Sequence, residues 1–253
     1  MTEESTPSAD ALSDRIAAIE RQVDSNSYRA GAWARVVNEV RALPMAERRS
    51  LAETLSRVSR KLHQRSGRGT ISVRAGYLAE VALAVAGAAV LALGTRHQSN
   101  LLVIACAVIW TIAFQPLIKV AVGYLLGVRY EYAYLYGIEP RFKMCFGQYL
   151  AQPRYARLLL HLSGTIGSPI GAWLPTLCVD PSLRIAIYVC WVLFWTVVAI
   201  NVGGFVAVLT GVRSRIGSLR LRDSSGGAAA LELREALEIW RVIWSRIRRC
   251  RPP

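Results

Sequence analysis

A sparse set of polar side chains lies inside long apolar runs, and its depth decides what chemistry it can do. Lys119 stands nine residues before the end of the run Leu101–Val128, and Asn201 ten before the end of Ile185–Gly211. On a helix, both lie about 13–15 Å in from one side of a membrane. Gln115 is one turn deeper than Lys119, and Ser168 lies ten residues into Leu158–Val179. Glu80 and His161 sit about one turn in from that same side. A charge at such depth must be paired, solvated or able to reach the interface. Lys119 is therefore expected to face the protein interior and meet Asn201, Glu80 or third-run hydroxyls such as Ser168. The set can clamp helices together or form a transport or catalytic site, and the clamp is the simpler reading.

A second group is aromatic. Tyr130, Tyr132, Tyr134 and Tyr136 alternate with other residues, which places four rings on one face of an extended strand. Ile138-Glu139-Pro140 is expected to turn the chain, with Arg141-Phe142-Lys143-Met144 returning. A hairpin of this kind at the membrane interface would anchor ring bodies in lipid, or bind lipid headgroups through its tyrosines, Arg141 and Lys143. Edge pairing with an extended peptide is the other use of such a surface. Glu131 and Glu139 could serve acid/base chemistry with Glu80 or His161, but spacing alone does not gather them at one site.

Metal chemistry has little support. The chain has 3 His and 5 Cys, and the cysteines are scattered. They match no zinc spacing and imply no disulfide framework. Cys178 and Cys190 flank a short loop and could pair, though free thiols are the simpler reading. No metal and no cofactor are expected.

Four apolar runs must position these residues: Gly76–Gly94, Leu101–Val128, Leu158–Val179 and Ile185–Gly211. Each is long enough for a helix to cross about 30 Å of hydrocarbon, which needs ~20 residues. Of the 31 Lys and Arg, all but Arg96 and Arg184 lie before the first run, between Lys119 and Arg157, or after the last. The positive-inside rule then places both termini and the central loop in the cytoplasm of a cell inner (plasma) membrane. The net charge of +14 reads as orientation and attraction to anionic lipids rather than nucleic-acid binding. Met1–Asp14 is acidic and Ser-rich, so no cleavable signal peptide is expected.

Outside the runs, Leu12, Ile16, Ile19 and Val23 make one apolar helical stripe. Trp33, Val37 and Val40 make a second, and Leu51, Leu55, Val58 and Leu62 a third that starts after Pro44. Leu233, Leu237, Trp240, Trp244 and Ile247 predict a tail helix, acidic first and basic last, as the helix dipole favours. Gly167 and Gly171 form a small-residue ridge in the third run, and Gly203, Ala207 and Gly211 another in the fourth. Such ridges let backbones pack closely. Pro116 is expected to kink or interrupt the second run.

The stretch Gln115-Pro116-Leu117-Ile118-Lys119, with Gly123 and Gly127, then the strand-like loop, then Leu160-His161-Leu162-Ser163-Gly164, resembles the core of intramembrane site-2-type metalloproteases. The resemblance covers roughly 110–173. In that family a helix carries HExxH with small residues four and eight positions later. Here Gln115 and Lys119 occupy the two His positions and Pro116 the Glu position. The resemblance therefore implies a proteolytically inactive scaffold, with Lys119 placing a positive charge where the metal would sit.

The resulting expectation is an all-α, four-span integral membrane protein with cytoplasmic amphipathic helices and a small interfacial β-hairpin. Its organisation is expected to be a cytoplasmic helical region 1–66, a linker 67–75, a membrane domain 76–212 containing the loop 129–157, a linker 213–227 and a helical basic tail 228–253. The favoured function is a non-enzymatic binding or assembly subunit with a membrane-protein partner or a second copy of itself. An oligomeric transporter, channel or lipid-handling protein working around Lys119 and Asn201 is the alternative, and a membrane enzyme the third.

Overall fold

The computed structural model describes residues 8–29, 31–65, 67, 69–136, 139–210, 215, 216, 219, 220, 230, 232 and 233. Four helices come first: α1 (Ala9–Asp24), α2 (Ala32–Ala42), α3 (Met45–Ser50) and α4 (Ala52–Gln64). A short strand β1 (Thr70–Ile71) precedes two long helices, α5 (Val73–Arg96) and α6 (Asn100–Leu125). Strands β2 (Tyr130–Tyr136) and β3 (Glu139–Met144) and helix α7 (Phe146–Ala151) follow. Then come α8 (Arg154–Trp173), a 3-10 turn at Leu174–Leu177, α9 (Arg184–Thr210) and the small pair β4 (Arg215–Ile216) and β5 (Leu219–Arg220).

The chain forms two units, and the division differs from the one expected. Met1–Val73 and Tyr124–Pro153 make one composite domain, and Arg74–Gly123 with Arg154–Pro253 make the other. The central loop therefore folds with the N-terminal helices. The expected linker 67–75 contributes β1, which pairs with β2 in an antiparallel three-stranded sheet of order β1-β2-β3.

In the composite domain, Ser8 caps α1 by accepting from the Ala11 amide, and Leu12, Ile16, Ile19 and Val23 are buried. Val36, Val37 and Val40 of α2 and Leu55 and Val58 of α4 complete the core. The single third helix expected from sequence is two: Pro44 starts α3, and Leu51 separates it from α4. The hairpin register pairs Tyr136 with Glu139 and Leu135 with Pro140. Glu139 and Pro140 thus belong to the returning strand, and residues 137 and 138 lie outside the described residues. A register shift between Tyr130 and Tyr132 marks a bulge.

In the second unit, α5, α6 and α9 are long and apolar enough to cross a membrane. The third expected run is helix α8, and it is not among them. Arg157, His161, Ser163 and Ser168 dilute its hydropathy, yet all four are buried while Leu159 and Ile166 are exposed. Its polarity faces inward and its apolar side outward, the reverse of a helix in water. Pro116 lies inside α6, which continues through it. Beyond Leu125 the chain reverses at Gly127, whose φ of 75° is the left-handed value that glycine takes without strain.

The two short connections meet at one end of this unit. Ser182 Oγ donates to Gln98 Oε1 at 3.3 Å, and the Ala186 amide donates to Asn100 Oδ1 at 2.9 Å. Leu91, Val103, Cys106, Ala107, Trp110, Leu183, Ala186 and Cys190 pack beside them. The α5–α6 and α8–α9 hairpins therefore have their tips together. The predicted tail helix beyond Leu233, and Gly211, lie outside the described residues.

Candidate functional site

The second unit gathers part of the expected polar set along the contact of α6 with α8. A Cβ added at Gly171 would lie 2.3 Å from the Trp110 carbonyl oxygen, and one at Gly167 2.9 Å from the Gln115 Cα. The Gly167–Gly171 ridge thus lets α8 touch the α6 backbone itself, which larger residues would prevent. At that seam Ser168 Oγ donates to Gln115 Oε1 at 3.2 Å. Two mid-run polar groups satisfy one another across two helices, the arrangement that a clamp requires.

The other members are distributed differently. Lys119 is half-buried on α6. Asn201 is half-buried on α9, where its Nδ2 donates to the Val197 carbonyl of its own helix at 3.0 Å. It also lines an apolar groove of about 360 Å³ between α8 and α9, together with Thr165, Pro169, Phe194, Val198 and Phe205. His161 is buried on α8. Glu80 is 4 % exposed on α5 and has no hydrogen bond or ion pair among the described residues. Of the partners expected for Lys119 (Asn201, Glu80 or a third-run hydroxyl), Glu80 is not one. Gly203 is half-buried, and Ala207 is buried on α9.

The sequence missed one pair. Arg157 Nε donates to Glu232 Oε2 at 2.8 Å, with side chains 0 % and 1 % exposed. Glu232, among the first described residues of the tail, is thereby buried against α8, and Ala230 is buried as well. Arg157 shares its stripe with Leu160, His161, Gly164, Gly167, Ser168 and Gly171, all buried. That periodicity was the available signal that Arg157 points inward rather than belonging to a solvated loop.

The tyrosine hairpin is built into the composite domain. Tyr132 Oη and His63 Nδ1 of α4 lie 2.8 Å apart, and the Tyr134 ring meets His63 edge-on at 4.4 Å between centroids. Arg60 donates through Nε and Nη2 to both oxygens of Glu131, at 3.1 and 3.2 Å. Lys143 Nζ donates to Ser59 Oγ at 2.7 Å and lies 5.9 Å from the Phe146 ring centroid. The Gly147 amide donates to Ser56 Oγ at 3.0 Å, where a Cβ on Gly147 would strike the Ala52 backbone. Ser56, Ser59, Arg60 and His63 form a polar stripe on α4 beside its apolar one. Tyr130 is buried against Tyr124 and Phe142, and Arg141 is half-buried.

This packing shifts the local acids and bases. Burial, reinforced by Glu131, pushes the Tyr132 hydroxyl up to about 12. Burial lowers the Lys143 ammonium and raises the Cys145 thiol and the Tyr130 hydroxyl. Tyr132 and Lys143 hold the sheet to α4 through His63 and Ser59, and Tyr130 packs within the hairpin region against Tyr124 and Phe142. Among the described residues no three of His, Cys, Asp and Glu cluster as a metal site, and Cys106, Cys145, Cys178 and Cys190 are free thiols. No family model, curated protein or solved structure matches the chain.

Proposed function

We propose that the chain is a four-span membrane protein acting as a non-enzymatic binding or assembly subunit, with a cytoplasmic domain that docks a protein partner or a second copy. One observation carries this reading: two segments separated by α5 and α6 fold into a single domain. β1, just before α5, pairs Thr70 with Tyr134 and Ile71 with Ala133 of β2, just after α6. A chain that leaves along α5 and returns along α6 to one sheet makes an out-and-back hairpin. α8 and α9 make a second, and the hydrogen-bonded tips put both hairpins in the same sense. Along the sequence, basic residues are sparse around the two tip connections, with only Arg96 and Arg184, and dense before α5, between α6 and α8 and after α9, segments that the positive-inside rule makes cytoplasmic. The inner-membrane location and anionic-lipid contacts follow from that same charge.

The inward polarity of α8 supports counting it as the fourth span. Cysteines placed at Ser99 and Ser182 should react with an impermeant maleimide only from outside intact cells. Labelling of either from the cytoplasmic side would end the four-span reading. For the assembly role, native mass spectrometry of protein drawn from its own membranes should show a stoichiometric protein partner or a defined homo-oligomer. A lone monomer in both mild detergent and native membranes would count decisively against it.

The order of α6, hairpin and α8, with a glycine-lined α6–α8 seam at Gln115, supports the inactive protease-like scaffold as a version of this reading. A lipid-handling role is favoured by one separate feature, the apolar groove that carries Asn201 and Thr165. Lipid transfer between vesicles that fails with Asn201→Leu would shift the weight to it.

A further inference from the structure

Among the described residues, Glu80 is the acid whose buried carboxyl oxygen has no hydrogen-bond partner. It is buried on α5, as are Gly76, Gly87, Leu91 and Gly94, and its spacing of seven and fourteen residues puts it on the same helix face as Gly87 and Gly94. Gly94 abuts Val103, Gly87 abuts Trp110, and Trp110 Nε1 donates to the Ala84 carbonyl at 2.8 Å. The two helices run antiparallel, so seven residues back along α5 match seven forward along α6. Glu80 therefore falls level with about Leu117, opposite the segment Ala113–Val120. That segment carries one charged residue, Lys119, and one amide, Gln115, whose side-chain oxygen accepts from Ser168. On α5 itself the nearest ionisable residues are Arg74 and Tyr77. None of them pairs with Glu80, whose Oε2 is buried without a hydrogen-bond partner.

An ionised carboxylate in such a place would be desolvated and uncompensated, which buried charges do not sustain. Adding a proton removes that penalty and needs no rearrangement of the helices. We propose that Glu80 is a membrane-embedded proton-binding site, a carboxylic acid that holds its proton at neutral pH and releases it only when a cation or water reaches it. The proton is the ligand: taking it forms one O–H bond on the carboxyl oxygen and releasing it to water or base breaks that bond, with no change of oxidation state. This inference rests on α5 lying in hydrocarbon, as the four-span reading requires.

The test is covalent labelling of the full chain in liposomes with a lipophilic carbodiimide, which reacts with protonated carboxyls, read by peptide mass spectrometry. Glu80 should be modified at pH 7, with labelling falling about tenfold per pH unit above its titration midpoint. A water-soluble carbodiimide should leave it untouched while modifying the exposed carboxylates of the composite domain. Sodium at constant pH should not protect it. Strong sodium protection would overturn the proton in favour of an alkali cation, and absence of lipophilic labelling at any pH would overturn the site. The bilayer reading is tested separately with Val85→Cys, one turn further on and exposed on the outer face of α5. If that thiol reacts freely with an impermeant maleimide, α5 is not in hydrocarbon and the four-span reading fails. If the thiol is shielded and Glu80 still refuses the reagent, the proton site alone fails. Glu80→Gln, which keeps the shape of the protonated acid, should fold as the parent does and lose the label.

Discussion

The two units solve the same problem, holding helices together, with opposite materials. The composite domain buries Leu12, Ile16, Leu55 and Val58 and keeps ion pairs such as Arg57–Glu20 and Lys61–Asp24 at its rim. The second unit buries Gly167, Ser168, His161, Glu80 and Arg157 and exposes Leu78, Val85, Leu101, Ile185 and Trp195. The first pattern is what water selects, because apolar burial is the main driving force there. The second is what hydrocarbon selects, because leucine gains nothing by leaving lipid and close backbone contact and polar pairing do the holding.

The sharpest way to break this contrast is the Arg157–Glu232 pair. Removing one partner leaves a charge buried alone, which costs ~3–5 kcal/mol, whereas replacing both with apolar residues of similar volume is often neutral. Glu232→Leu should therefore lower the thermal midpoint in detergent strongly, and Arg157→Met with Glu232→Leu should recover most of it. If the single and double variants are equally unstable, the pair is not what holds the tail to α8. In the composite domain the matching test is Leu55→Ala, which should cost ~2–5 kcal/mol through lost burial and the cavity left behind. Denaturant titration of the purified chain reads it, and a loss below ~1 kcal/mol would mean that the α1–α4 core is not the one described.

Gly171→Ala sharpens the comparison at a smaller scale. The added methyl meets the Trp110 carbonyl at 2.3 Å, so α8 and α6 must separate. Overpacking of this kind typically costs ~1–3 kcal/mol. It should also weaken the Ser168–Gln115 hydrogen bond across the seam. A midpoint equal to that of the parent would show that the seam is loose.

The same contrast explains what the sequence made legible. The stripe Leu12-Ile16-Ile19-Val23 is readable because in water the buried face and the apolar face coincide. So is the length of α5, α6 and α9. The third run was readable as helix, but its inward polar stripe blurs the apolar signal that counts spans. Arg157 was hidden for a related reason: a basic residue after a basic loop reads as solvated, and only its place on the Leu160–Gly171 stripe argues otherwise. Ser56, Ser59, Arg60 and His63 are polar residues with no local signal of a partner. Their partners on the hairpin lie far along the chain, and β1 is two residues long. No local pattern announces a contact between segments separated by two long helices. At the candidate site, the Gly167–Gly171 ridge was visible as a motif, yet its partner α6 was not. The depth of Lys119 and Glu80 was visible too, whereas their failure to pair needed the helix register.

The smallest predicted effect separates the rim from the core by pH. Hydrogen bonding to Arg57, aided by Lys61 and opposed by burial, holds the Glu20 carboxyl below its ordinary 4.5. A depressed folded-state value means that the unfolded chain binds the proton more readily. Stability from this group is then present above pH 4.5 and is lost as pH falls through the lower folded value. Arg57 is exposed, so the contribution is small and screened by salt. Glu20→Gln should flatten that part of the acid limb of the pH–stability curve for the composite domain, and 1 M salt should do the same to the parent. Arg157–Glu232, sealed from solvent, should respond to neither. A salt response as large for the sealed pair as for the rim would mean that water reaches it, and the two units would then not differ in their solvent as their residues imply.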